Sequence, residues 1–124
     1  MTKTLLIISA VLLLAYLGYR TFRILTIDNN IEDQVSNGAI ILDVRTSMEY
    51  ESGHIKGSIN IPLGQIRERY KELNPSKTYI TTCSHGLRSI KVEQLLKERG
   101  FHHVSNGGAW VDLEKKIKNK NARK

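Results

Sequence analysis

The sequence predicts an α/β domain with a mostly parallel sheet and helices on both faces, preceded by one transmembrane helix. Three observations carry this. From Asn30 onward, short β-prone runs alternate with helix-patterned segments, which is the signature of a parallel sheet. An uncharged apolar stretch, LLIISAVLLLAYLGY from Leu5 to Tyr19, stands ahead of them. The single cysteine, Cys83, closes one β-prone run just before a Gly-containing loop and a helix start. In open α/β sheets that position, outside the carboxyl end of a strand, is where ligands bind.

The leading stretch has three readings. A buried core helix fits poorly, because the run is apolar all round and lies outside the domain pattern. A cleaved signal peptide has the right apolar length, but Ala15-Tyr16-Leu17 and Leu17-Gly18-Tyr19 lack the small-residue pair of a cleavage site. A membrane anchor fits best. A helix from Thr4 to Phe22, at about 1.5 Å per residue, approaches the roughly 30 Å of a hydrocarbon core. Tyr16, Tyr19, Arg20 and Arg23 would then sit at the interface, and the Lys/Arg count places the C-terminal side in the cytoplasm. A reduced, unpaired cysteine suits that compartment.

Thr26 to Asn30 reads as a polar linker, and Asn30 as the cap of a brief helix ending at Gly38. Ala39 to Val44 is an apolar run of strand length, as expected of a buried parallel strand. Thr46 and Glu49 form a capping box that opens a short helix over 47–52, with Gly53 closing it. Ile59 to Ile61 is a second short strand before Pro62, and Gln65 to Leu73 a helix. After the breaker Asn74-Pro75-Ser76, Thr78 to Thr82 is β-prone. Ser89 to Arg99 then places Ile90, Val92, Leu95 and Leu96 at helical spacing, with Ser89 as cap and Gly100 as stop. Phe101 to Val104 reads as a last strand, Asn106-Gly107-Gly108 as a loop, and Ala109 to Lys118 as an amphipathic helix. The predicted organisation is an anchor over 1–25, a domain over 30–118 and a basic tail over 119–124.

The net charge of +7 is unevenly placed. The first 23 residues carry Lys3, Arg20 and Arg23 and no acid, and the last ten carry six bases and no acid. All twelve acids lie between, with ten bases, so the folded body is close to neutral. A nucleic-acid-binding domain needs a basic face of its own, so no nucleic-acid partner is expected; a basic tail beside an apolar leader suits an anionic membrane surface. One cysteine excludes an internal disulfide and a cysteine-rich metal site.

Cys83 is the candidate nucleophile, although a free cysteine is as often a small core hydrophobe. A thiol between a strand end and a helix start faces unpaired backbone N–H groups and a positive dipole end, which favour an anion and the thiolate. The loop of Ser84, His85, Gly86, Leu87, Arg88 and Ser89 is the candidate cradle. Gly86 permits the turn and Arg88 offers a planar anion-binding fork.

These segments resemble the single-domain rhodaneses, a sulfurtransferase family. Leu42-Asp43-Val44-Arg45 resembles its strand ending in Asp-x-Arg. Glu49 to Pro62, EYESGHIKGSINIP, resembles its E-[YF]-x-x-G-H-I block, Cys83 to Ser89 its C-x-x-G-x-R-S loop, and Gly100-Phe101 with Gly107-Gly108-Ala109-Trp110 its closing region. The resemblance covers about residues 30 to 113. It implies a rhodanese-like fold in which Cys83 takes a sulfane sulfur from a small anionic donor such as thiosulfate, holds it as a persulfide, and passes it to cyanide or a thiol. It implies no cofactor and no metal. Asp43, Arg45, Glu49 and His54 match motif positions with supporting roles, namely an ion pair between Arg45 and Glu49 and a turn fixed by His54. Two other classes stay open, a catalytically silent rhodanese-like binding module at the membrane and a Cys-loop phosphatase or arsenate reductase. The spacing from Cys83 to Arg88 is C-x4-R, one residue shorter than the C-x5-R of those phosphatases and reductases. The donor, the acceptor and the oligomeric state are not legible in the residues.

Overall fold

The computed structural model describes residues 1–25 and 30–123; the expected linker lies, Asn30 apart, outside them. The helices are α1 (Thr2–Leu25), α2 (Ile31–Ser36), α3 (Ser47–Glu51), α4 (Ile66–Arg69), α5 (Leu87–Glu98) and α6 (Trp110–Ala122). The strands are β1 (Ile40–Asp43), β2 (Ile59–Asn60), β3 (Tyr79–Cys83) and β4 (Val104–Ala109). They form one parallel sheet in the order β2-β1-β3-β4.

Alternate residues of each strand feed two cores. Leu42, Tyr79, Cys83 and Val104 face the side covered by α4 and α5, joining Ile66, Val92, Leu96 and Phe101. Ile41 and Ile80 face the other side, where Ile31, Leu113 and Ile117 bring α2 and α6 against the sheet. Each fully buried Leu or Ile contributes about 1.5–3 kcal/mol through surface removed from water. The expected two-faced α/β architecture is thus present, and it places Cys83 at the carboxyl end of a central strand.

Several local expectations change. The helix expected over 65–73 is only α4, with tight 3-10 turns at Leu63–Gln65 and Tyr70–Glu72 on either side. The turn geometry suits the three-residue step from Tyr70 to Leu73, both packed on the core. Asn30 makes no side-chain cap to α2. Helix α6 continues through Ala122, into the residues read as a tail.

The largest change is at Asn106-Gly107-Gly108, expected as a loop and found inside β4. The register to β3 runs Thr81 to Asn106 and then Thr82 to Gly108, so Gly107 is the extra residue of a bulge. A Cβ at Gly107 would lie 2.7 Å from Ile80 Cγ2 and 3.1 Å from the Thr81 carbonyl oxygen. That backbone cannot yield cheaply. Gly107→Ala is therefore expected to cost about 1–3 kcal/mol by overpacking, read as a lower urea midpoint.

Helix α1 stands apart in character. Its apolar side chains are exposed, and Thr2–Phe22 has a mean hydropathy of 1.9. At 24 residues it is about 36 Å long, enough to cross a bilayer.

Candidate active site

Cys83 is the last residue of β3 and is 1% exposed. The chain turns at Gly86, whose φ of 94° suits glycine, and α5 begins at Leu87. No side chain caps α5, so its first-turn N–H groups remain available to a ligand. The Gly86 N–H itself donates to Cys83 Sγ at 2.9 Å.

Ser89 is not the helix cap it was expected to be. It lies in the first turn of α5, fully buried, with Oγ 3.5 Å from Cys83 Sγ, 2.7 Å from Asn106 Oδ1 and 2.9 Å from the Gly86 carbonyl. Its one proton serves one acceptor at a time. Asn106 Oδ1 also accepts from the Gly108 N–H at 3.0 Å, and Thr82 Oγ1 donates to the Gly108 carbonyl at 2.7 Å. The thiol is thus joined through Ser89 and Asn106 to the β4 bulge. Asn106 was missed because Asn-Gly-Gly reads as a turn; the available signal was an amide side chain beside a β-prone run.

Two ion pairs frame the loop, and they are not the expected one. Arg45 does not pair with the Glu49 carboxylate. Its guanidinium, buried at the end of β1, grips Asp43 at 2.7–3.0 Å and donates to the backbone carbonyls of Glu49 and Gly53 at 3.2 and 2.8 Å. It also lies 4.7 Å from the Trp110 ring centroid, a cation–π contact that ties α6 to the α3 loop. Asp43 wins because it is equally buried and only two residues away, and a buried carboxylate needs a charged partner.

The Glu49 carboxylate instead closes the capping box, accepting from the Thr46 N–H at 2.8 Å, and receives both Arg88 Nη atoms at 2.8 and 3.0 Å. Arg88 Nη2 further donates to Ser84 Oγ at 2.7 Å. The Arg88 hydrogen bonds first, and then the Thr46 N–H, hold Glu49 at a pKa of about 2, while Arg88 is raised by the same pairing. A depressed carboxylate adds stability that is complete above its ordinary range and disappears as pH falls from about 4.5 toward 2. The difference in melting temperature between wild type and Glu49→Gln should accordingly narrow across that window. A difference independent of pH would mean that the pair adds nothing.

The remaining site residues are peripheral. His54 stacks on Tyr50 at 3.7 Å, and its Nδ1 donates to the Tyr50 carbonyl at 2.7 Å across the turn after α3. His85 is exposed, with Nδ1 3.2 Å from Ser84 Oγ, and Leu87 is exposed at the start of α5. Among the described residues no group of three or more His, Cys, Asp or Glu could hold a metal ion.

A family model for the rhodanese-like domain matches residues 26–109. Thiosulfate sulfurtransferase PspE of Escherichia coli is 36% identical over 74 residues, covering 58% of this chain and 71% of the relative. Putative sulfurtransferase YtwF of Bacillus subtilis is 35% identical over 81 residues, covering 65% and 79%. Other relatives are longer: the chain spans 36% of the putative sulfur carrier protein YrkF of Bacillus subtilis. Among solved structures, a rhodanese with anions from Escherichia coli matches with a TM-score of 0.57 and 32% identity over 60% of this chain and 91% of that one. With the fold, the Cys83 loop and these matches in agreement, the chain belongs to the rhodanese-like domain family.

Proposed function

We propose that the protein is a membrane-anchored sulfurtransferase that works through a Cys83 persulfide. The observation that carries this is the 2.9 Å approach of the Gly86 N–H to Cys83 Sγ, at the junction of a strand end and an uncapped helix start. A donated N–H and the α5 dipole stabilise the negative charge of the persulfide intermediate. With thiosulfate, the thiolate attacks the outer sulfur, the S–S bond breaks, and sulfite leaves with the electron pair. An acceptor such as cyanide or a thiolate then attacks the terminal sulfur, and the pair returns to Cys83 Sγ. No net electron source is needed. The deep burial of Cys83 and the short C-x4-R loop favour transfer of a single sulfur atom over attack on phosphorus.

Intact-mass spectrometry after incubation with a sulfane donor tests the reading. One added sulfur atom, removed again by cyanide or a thiol, is the expected result. A folded protein whose mass does not change with any sulfane donor is a binding module instead, and faster turnover of an aryl phosphate than of sulfur makes it a phosphatase.

We infer further that residues 1–25 anchor the chain as a single pass, with the domain over 30–118 in the cytoplasm and the basic residues after it near the anionic leaflet. The length and exposed apolar surface of α1 support this. The protein should stay in the membrane fraction after a high-salt wash, which strips chains held by charge alone. A soluble product shortened by the α1 segment would make α1 a signal sequence.

A further inference from the structure

The fork of Arg88, expected to hold an anionic donor, is already occupied. Both of its Nη atoms are bonded to Glu49, and one of them also to Ser84. The neighbouring Arg45 is likewise consumed by Asp43. The four charged side chains beside the loop therefore cancel in two pairs, and the backbone N–H groups are what remains to receive negative charge. Those dipoles suit one developing charge on sulfur; a second charge on the donor meets no free cation among these four residues.

Resting on the sulfurtransferase reading above, we propose that Glu49 is a specificity-determining residue: by neutralising Arg88 it selects low-charge sulfane donors, the persulfides of small thiols, over dianionic thiosulfate. The step balances without any co-reactant. The Cys83 thiolate attacks the outer sulfur of R–S–SH, the S–S bond breaks, and the thiolate RS⁻ leaves with the electron pair. The proton stays on the transferred sulfur and can pass to RS⁻. Glu49 does not touch the donor; it acts through Arg88.

Glu49→Gln isolates the charge, because a glutamine at this position still closes the capping box with Thr46. The probes are thiosulfate and the persulfide of 2-mercaptoethanol, each assayed with the full-length chain in detergent. For thiosulfate, kcat/KM should rise about tenfold in the variant, mainly through KM and most strongly at low salt, since one negative charge has been removed near a dianion. For the persulfide the change should stay within about twofold. Should the glutamine variant fold poorly, Arg88→Gln provides the opposite arm: it leaves Glu49 uncompensated and should depress thiosulfate use selectively. A merely structural role would move both donors together, and equal effects on the two overturn the proposal. Failure of the wild type to take sulfur from either donor overturns the sulfurtransferase reading itself, a distinct result.

Discussion

Cys83→Ser is expected to abolish sulfur uptake and reduce turnover to the uncatalysed level. The serine hydroxyl can keep the contacts now made by the thiol, to the Gly86 N–H and to Ser89, so the loop should retain its shape. What it cannot supply is the sulfur nucleophile: an alcohol oxygen is a much weaker nucleophile than a thiolate and forms no persulfide. The covalent intermediate is lost, and no other cysteine exists to replace it. Intact mass with and without donor, alongside a circular-dichroism spectrum, separates lost chemistry from lost fold. A serine variant that still acquires sulfur would remove the persulfide from the mechanism.

The second large effect is on stability. Arg45→Met keeps most of the side-chain volume, but gives up the cation–π contact with Trp110 and leaves the buried Asp43 carboxylate without its cation and two backbone carbonyls without their donor. Removing one partner of a buried pair costs about 3–5 kcal/mol. Domains of this size are stable by only about 5–15 kcal/mol in total. The variant should therefore show a greatly lowered urea midpoint, and the double variant Arg45→Met/Asp43→Asn should regain part of the loss because no charge is then stranded. A loss below about 1 kcal/mol in the single variant would mean that water replaces the guanidinium, contrary to the burial of both groups.

The elements that were legible in the residues are those whose cause is local. The capping box of Thr46 and Glu49 forms as its spacing dictates, because both partners lie within one turn. The strand runs 39–44 and 78–82 were visible as apolar or β-branched stretches bounded by breakers, and their burial on both faces follows from parallel pairing. Cys83 could be placed at a strand end and helix start by the same means. Helix α1 needed only its length and lack of charge.

What the tertiary structure alone decided is who partners whom across the chain. By itself the sequence determined the fold class, most of the elements and the position of Cys83 at a strand end, since these rest on periodicity, caps and turn chemistry within a few residues. It did not reveal that Glu49 reaches Arg88 rather than Arg45, because those groups are 39 residues apart and meet only when α3 and α5 are set on the same sheet end. Nor did it reveal Ser89 and Asn106 beneath the thiol, or Gly107 as a bulge, since a glycine pair beside an asparagine has the composition of a turn. Only the β3 ladder and the packing of Ile80 and Leu113 turn that segment into a strand. The physical reason is common to all three: charges and amides have several satisfactory partners in sequence, and burial against one neighbour selects among them.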